Sequence, residues 1–341
     1  MKIYIYGAGN IGCYLGGKLA ASGNDVTFIT RPRIYQELSR YGLELTDYLG
    51  GNIKLAPNEL KQTTDIKQII DADVILVCVK SAATEQVAHE LKQYLGQKTP
   101  LIISFQNGLS NVPILKNILQ GQTILEGMVP FNVAAQGHGH YHQGTSGAVS
   151  VKQYPTQYML ENTFKKAGFD IVFEDDMLAV QWAKLLLNLN NSINALSKLP
   201  LKQQLSIRAY RQCVAMAQQE TLDLLDYAQI KTAKLTAIPT HWIPKILSLP
   251  NPVFKLLSRK MLEIDPLARS SMQDDLVMGR VTEVDWINGE VVKLAEQCGR
   301  RAPINERLIQ LIKQAEKMPK TFSISADALK DQLESVAKTS L

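Results

Sequence analysis

The sequence predicts an α/β domain on a largely parallel sheet, followed by an all-helical domain, and three observations carry that reading. The first part of the chain alternates short apolar strands with helical runs, as a sheet with helical crossovers does. It opens on one such strand, Lys2–Tyr6, which passes directly into Gly7-Ala8-Gly9-Asn10-Ile11-Gly12 and then a helical run, Tyr14–Ser22. From about residue 176 the pattern changes to apolar residues at helical spacing. The expected divisions are a Rossmann-type dinucleotide-binding domain at 1–175, a helical domain at 176–318 and a polar C-terminal tail at 319–341.

The glycine turn is the first chemical signal. Gly-x-Gly-x-x-Gly is weak alone but specific between a strand and a helix. Gly7 permits the tight turn, Gly9 lets a pyrophosphate approach the backbone, and Gly12 allows close helix–strand packing. Free amides at the helix start, over Ala8, Asn10 and Ile11, then suit phosphates.

The second strand, Asp25–Thr30, runs into Arg31-Pro32-Arg33. An NAD-preferring site places an acid here for the ribose 2′-hydroxyl. Arg31 instead suits a 2′-phosphate, which predicts NADP(H); the alternative is that Arg31 and Arg33 are plain loop charges. Strands are also expected at Asp73–Val79, ending in Lys80, and at Leu101–Phe105, ending in Gln106-Asn107-Gly108. Helical stretches near 81–95 and 109–120 supply the crossovers. Lys80 and Asn107 are either simple strand-end polar residues or, on one edge beside a dinucleotide turn, cofactor or substrate contacts. Thr123–Val129 leads into Pro130-Phe131-Asn132-Val133 at the same edge, and Gly147–Lys152 and Asp170–Phe173 close the domain. His138, His140 and His142 alternate as if on one strand face, but without a local Cys or carboxylate they read as a hairpin; no metal is expected.

In the second domain, Gln181–Leu196 reads as one buried helix with a polar seam. At 100° per residue Lys184, Asn188 and Asn191 fall within about 60° of one another, with leucines opposite. A lysine there is either solvated or part of a site, since a buried, unpaired ammonium is costly. Gln204–Ala228 is a further helix carrying Glu220, and the proline-punctuated Thr240–Pro252 is a lid or a connecting loop. Ser270 and Ser271 precede a helical run, where a serine caps or a carboxylate binds. Glu283 begins another helix, a place the dipole alone favours for an acid. A helix over Asn305–Lys317 completes the domain, and Met318–Leu341 is a loosely packed tail or a partner helix.

Composition narrows the class. With 341 residues, 45% hydrophobic, the chain can bury two cores. A net charge of +5 without a long basic block gives no case for nucleic acid. The four cysteines stand far apart, as buried thiols in a reducing compartment do. Met1-Lys2 leads into a strand with no signal peptide, and no apolar run of about 18 residues exists, so the expectation is a cytoplasmic protein that leaves membranes alone.

Taken together, GAGNIG at 7–12, Lys80 after a strand, Gln106-Asn107-Gly108, Lys184-Leu185-Leu186 with Asn188, and SSM…TEVDWING at 270–289 resemble the ketopantoate reductase (2-dehydropantoate 2-reductase) family. The resemblance covers residues 1 to about 318. It implies a Rossmann domain followed by a helical domain, the active site in a cleft between them, and NADPH-dependent reduction of a 2-keto acid. Lys184 would be the general acid, and Glu283 the glutamate beside cofactor and lysine. Asn107 would touch cofactor and substrate, Lys80 and the Val133 backbone the cofactor, and Asn188 and Ser271 the substrate, Ser271 at its carboxylate. Two departures touch substrate recognition. Where some members carry a second asparagine, eight residues after the lysine, Ser192 stands, with Asn191 as a substitute; a further asparagine is absent near Lys202. The expected activity is reduction of ketopantoate to pantoate; the alternatives are another branched 2-keto acid, or an NADPH-binding sensor without turnover. The sequence is silent on oligomeric state, though helical second domains of this kind often pair as a homodimer.

Overall fold

The computed structural model describes residues 1–257, 268–319 and 321–338. It divides into two compact units, Met1–Met177 and Leu178–Leu341.

In the first unit the strands are β1 (Lys2–Tyr6), β2 (Asp25–Ile29), β3 (Leu43–Asp47), β4 (Asn52–Leu55), β5 (Lys61–Thr63), β6 (Val74–Val77), β7 (Leu101–Ser104), β8 (Ile124–Met128), β9 (Val133–Gly137), β10 (His140–Gln143), β11 (Val149–Lys152) and β12 (Ile171–Glu174). The helices are α1 (Asn10–Ala21), α2 (Pro32–Tyr41), α3 (Thr84–Leu95), α4 (Asn111–Ile118) and α5 (Gln157–Lys166). Eight strands form the main sheet in the order β12-β11-β8-β7-β6-β1-β2-β5. It is parallel from β5 to β8, and β11 turns antiparallel to β8 with β12 parallel beside it.

Strand alternation builds a core on each face. Ile3, Ile5, Phe28 and Leu76 pack with Leu15 and Leu19 of α1 on one side. Tyr4, Tyr6, Ile75 and Val77 pack with Leu91 of α3 and Leu115 of α4 on the other. Such burial on both faces explains why these strands read as nearly continuous apolar runs.

Of the second sheet, β4-β3-β10-β9, only the β9–β10 hairpin around the histidines was expected. This sheet covers α1, whose Gly16 lies against Ile5 and Phe28 of the main sheet while Gly17 lies against Leu43 and Leu45 of the small one. Two glycines thus let one helix serve as filling between two sheets. Of the three expected histidines only His140 and His142 share a strand, each with a ring nitrogen 2.8 Å from Thr46 Oγ1. His138 instead occupies the turn with φ 54°, its ring on Tyr41, because the flanking glycines make that segment a tight hairpin. No group of three His, Cys, Asp or Glu that could hold a metal exists among the described residues.

The second unit contains α6 (Met177–Asn188), α7 (Asn190–Ser197), α8 (Leu201–Ser206), α9 (Arg208–Tyr227), α10 (Ile243–Leu247), α11 (Asn251–Leu257), α12 (Ser271–Val277), α13 (Val284–Gln297), α14 (Pro303–Lys317) and α15 (Ala326–Lys338). Two expected helices are each divided. Gln181–Leu196 breaks at Leu189, where Asn190, Asn191 and Ser192 offer the backbone competing partners; Ser192 Oγ donates to Leu189 O. The expected Gln204–Ala228 helix breaks at Ile207, which is extended at φ −94°, ψ 116°.

The long helix α9 is the axis of this unit. Glu220 on it accepts from the Ile304 and Asn305 amides at 2.9 Å and from Asn305 Nδ2 at 2.8 Å, closing the start of α14. Arg211, fully buried, binds the backbone where α8 and α10 end. The terminal stretch is helical: α15 packs on α9 through fully buried Leu329 and Leu333, and Tyr210 donates to Ile324 O at 2.7 Å. The proline-punctuated segment forms α10 and the start of α11, and residues 258–266 of the stretch beyond it lie outside the described residues. No described helix is long and apolar enough to cross a membrane.

Candidate active site

In the first unit β1 lies between β2 and β6, and the chain leaves it towards one neighbour first and the other later. The carboxyl ends of β1 and β6 therefore flank the switch point of the sheet, where open α/β sheets bind ligands. The glycine turn follows β1 there. Gly7 has φ 104°, and a Cβ on it would stand 2.6 Å from Val79 Cγ1 and 2.7 Å from Val79 N. A Cβ on Gly12 would strike the Gly7 carbonyl, whereas one on Gly9 would meet nothing within 4 Å. The turn is closed on its inner side and open at Gly9. Ala8 is buried, Gly9 and Asn10 are exposed, and Ile11 is half-buried. Helix α1 starts with no side-chain cap and no acid in its first turn, which leaves the helix start suited to an anion. The residues present therefore fit a dinucleotide's pyrophosphate.

Of the other residues expected on this edge, Val133 is tied to the turn directly. Asn10 Nδ2 donates to Val133 O at 2.9 Å, which fixes the Val133 backbone beside the glycines. Arg31 is exposed at the start of α2, just beyond β2, while Arg33 is paired with Glu37 at 3.3 Å. Lys80 is exposed after β6, and Asn107 is half-buried after β7. The Asn107 carbonyl accepts from Ser81 Oγ at 2.9 Å and from Asn111 Nδ2 at 2.7 Å. Ser81, Thr84, Gln106 and Asn111 form a buried polar cluster that reading the sequence missed. Its only trace is spacing: Ser81 follows Lys80, and Asn111 stands one helical turn after Asn107.

In the second unit Lys184 is half-buried on α6, with Trp182, Ala183, Leu185 and Leu186 buried around it. Desolvation pushes its ammonium from 10.5 down to about 8. Asn188 is the last residue of α6, and Asn191 falls in the first turn of α7. Leu189, between them, keeps right-handed helical dihedrals (φ −58°, ψ −23°) and donates its amide to Leu185 O at 3.0 Å. At that joint Gln218 Nε2 of α9 donates to Leu186 O at 2.9 Å. The Asn191 backbone meets the start of α12: Ser270 Oγ lies 3.4 Å from Asn191 O, and Ser270 N donates to Asn194 Oδ1 at 3.0 Å. Ser270 caps α12 by accepting from Gln273 N at 3.2 Å, and Ser271, one residue on, is exposed. Asn194, which holds the start of α12, is a further residue missed from sequence. Ser192 is fully buried, and Lys202 is exposed on α8. Glu283 is buried at the start of α13, and its neighbour Thr282 is held by two 2.8 Å bonds to Glu316.

Fold and residues define a class: a Rossmann-type unit with a phosphate-ready glycine turn, followed by a helical unit carrying a desolvated lysine. The model for ketopantoate reductase PanE/ApbA matches residues 3–156, and that for its C-terminal part matches residues 176–316. The chain belongs to the ketopantoate reductase family and is an oxidoreductase of that family. It is 26% identical over 323 residues to the 2-dehydropantoate 2-reductase of Pyrococcus horikoshii, covering 93% of this chain and 98% of that protein. Among solved structures it resembles a PanE/ApbA family ketopantoate reductase from Ralstonia eutropha, with a TM-score of 0.78, 27% identity, and 94% and 100% of the two chains covered. The fold is also that of D-mandelate dehydrogenase with NADH and anilino(oxo)acetate, at a TM-score of 0.76, 20% identity and coverage of 94% and 100%.

Proposed function

We propose that the protein reduces 2-dehydropantoate (ketopantoate) to pantoate with NADPH, a step towards pantothenate and coenzyme A. The observation that carries this reading is Lys184, an ammonium that desolvation brings down to about 8. A general acid works best when its pKa lies near the working pH, because it is then mostly protonated yet gives up the proton readily. The nicotinamide cofactor that the 7–12 turn would hold would supply hydride to the carbonyl carbon. Lys184 supplies the proton to the carbonyl oxygen, so that keto acid, hydride and proton sum to the hydroxy acid and no full alkoxide charge develops.

The remaining residues bind and orient. The 7–12 turn, with its open Gly9, holds the pyrophosphate, Arg31 the 2′-phosphate, and Lys80, Asn107 and the Val133 backbone the rest of the cofactor. Asn188, Asn191 and Ser271 take the substrate's polar groups, and Glu283 supports Lys184 and the cofactor. All four cysteines are free thiols, which suits the cytoplasm as the working compartment.

The test is the loss of NADPH absorbance with ketopantoate. Turnover is expected, and Lys184→Ala should lower kcat by about 10²–10⁴-fold while NADPH still binds. A variant that turns over like the parent would remove Lys184 from the chemistry. A second reading, a reductase of another branched 2-keto acid, is favoured by one observation. Ser192 directs its hydroxyl to Leu189 O, and Lys202 is exposed, so neither replaces an asparagine that some family members carry. Turnover of such an acid but not of ketopantoate would select it.

A further inference from the structure

We infer that Ser81, Thr84 and Asn111 are positioning residues for the dinucleotide, acting through the loop that carries Asn107 and the loop that carries Lys80. This rests on the proposed NADPH-dependent reading. The observation is a hydrogen-bonded chain, running one way, beneath the carboxyl ends of β6 and β7. Ser104 Oγ donates to Gln106 Oε1 at 3.0 Å, and Gln106 Nε2 donates to Thr84 Oγ1 at 2.7 Å. The Thr84 hydroxyl lies 2.6 Å from Asn111 Oδ1 and 2.8 Å from Ser81 O, both acceptors for its one proton. Asn111 Nδ2 donates to Asn107 O at 2.7 Å and to Ser81 Oγ at 3.2 Å. Ser81 Oγ in turn donates to Asn107 O at 2.9 Å.

Each link fixes the next. The order is set from the Asn107 carbonyl, which can only accept: Asn111 turns its nitrogen to it and therefore its oxygen to Thr84. Thr84 then keeps its proton for Asn111 or Ser81 and accepts from Gln106, whose oxygen in turn faces the Ser104 hydroxyl. The chain thus ends on a single peptide oxygen with two donors. All of these side chains are buried, Thr84 and Asn111 almost completely. Just below them the strands are wholly apolar at Ile75, Val77, Ile102 and Ile103. An apolar filling would serve stability as well, whereas a fully satisfied polar cluster specifies one geometry. What it specifies is the peptide of Asn107 and the start of the short helical turn at Ser81, whose preceding residue is Lys80. Both proposed cofactor contacts of this edge are therefore set by one buried cluster.

The test is NADPH titration by fluorescence on the full-length protein, with melting temperature measured in parallel. Thr84→Val keeps the shape but removes both the donor and the acceptor. It should raise the Kd for NADPH about tenfold, and the KM for NADPH with it, while Thr84→Ser returns the affinity to the parent value. Ser81→Ala, a milder change that removes one of the two donors to the Asn107 carbonyl, should weaken NADPH severalfold. Leu115→Ala, in the core beneath α4, supplies the baseline: a lower melting temperature with unchanged Kd. Parent-like NADPH affinity in folded Ser81→Ala or Thr84→Val protein would overturn the inference, leaving the cluster a purely stabilising element. A parent protein that binds no NADPH would instead overturn the functional reading on which it rests.

Discussion

Two cations on neighbouring helices of the second unit, one fully buried and one half-buried, are both lowered by desolvation, to different effect. Arg211 on α9 is fully buried, and its guanidinium meets Leu205 O at 3.0 Å, Leu247 O at 3.0 Å, Leu249 O at 2.8 Å and Asn251 Oδ1 at 2.9 Å. Its plane also stands 4.0 Å over the Phe254 ring. The carbonyl ends of α8 and α10 thus stabilise the charge through helix dipoles and direct bonds, with no carboxylate among these partners. Lys184 on α6 is desolvated so that its ammonium falls to about 8. Burial lowers both groups, but a guanidinium starts so high that it stays charged, whereas an amine is brought within reach of neutrality. Burial of a cation is therefore not in itself a mark of function. The mark is burial that brings a group to the edge of losing its proton.

Substitution should separate the two sharply. Lys184→Met keeps the volume and apolar stem while removing the charge. On the proposed chemistry kcat should fall about 10²–10⁴-fold, with a melting temperature at pH 7 no lower than the parent's, since the charged form is the disfavoured one. A large loss of stability would mean that Lys184 is another Arg211. Arg211→Leu should do the reverse. Four acceptors lose their donor, and the expected destabilisation is about 3–5 kcal/mol by urea unfolding. Arg211→Lys should recover less than half of that, because a point charge cannot reproduce the planar fork. A stable Arg211→Leu protein would show that the clasp between α9, α10 and α11 is redundant.

The difference also marks what the sequence can and cannot disclose. Lys184 was visible because its neighbours are leucines and tryptophan, and the glycine turn because three glycines at fixed spacing have a single steric purpose there. Arg211 was invisible: three of its four partners are backbone carbonyls of α8, α10 and the turn before α11, groups that every residue carries, and the fourth, Asn251 Oδ1, lies forty residues on. The Ser81–Thr84–Asn111 cluster failed to show for a related reason, since its members are common helix-start residues whose meeting depends on β6 lying beside β7. The main strands were legible because they are buried on both faces. Of the small sheet only the β9–β10 hairpin was, because β4 is a short, largely exposed edge strand and β3 finds its parallel partner β10 about a hundred residues away. The break at Leu189 was equally hidden: apolar periodicity passes through it, and only the Asn-Asn-Ser run hints that the backbone has other partners.

Arg31 extends the comparison to a third cation, one that is exposed. Its neighbour Arg33 is already engaged by Glu37, which leaves Arg31 as the arginine of this pair available at the end of β2. Arg31→Asp should weaken NADPH by about 10–100-fold and NADH by much less, measured by titration with each cofactor. Equal effects on the two would detach Arg31 from the 2′-phosphate and leave cofactor choice to other residues.

The smallest expected effect is also the most direct test of the contrast between Lys184 and Arg211, because only one of them titrates in an accessible range. As a proton donor Lys184 must be charged, so kcat/KM for the keto acid should be flat below about 8 and fall about tenfold per pH unit above it. Stability should move the other way. The folded protein loses this proton near 8 and the unfolded chain only near the ordinary 10.5, so between those values the unfolded state binds more protons and stability attributable to this residue rises with pH. Lys18, also lowered by desolvation, adds a contribution of the same sign. The informative quantity is therefore the difference between the parent and Lys184→Met unfolding curves at pH 7 and pH 9.5, which cancels Lys18 and every other shared group. That difference should favour Lys184→Met more at pH 7 than at pH 9.5. A gap that does not change with pH would mean that residue 184 keeps its proton throughout, as Arg211 does, and that the fall in kcat/KM belongs to another group.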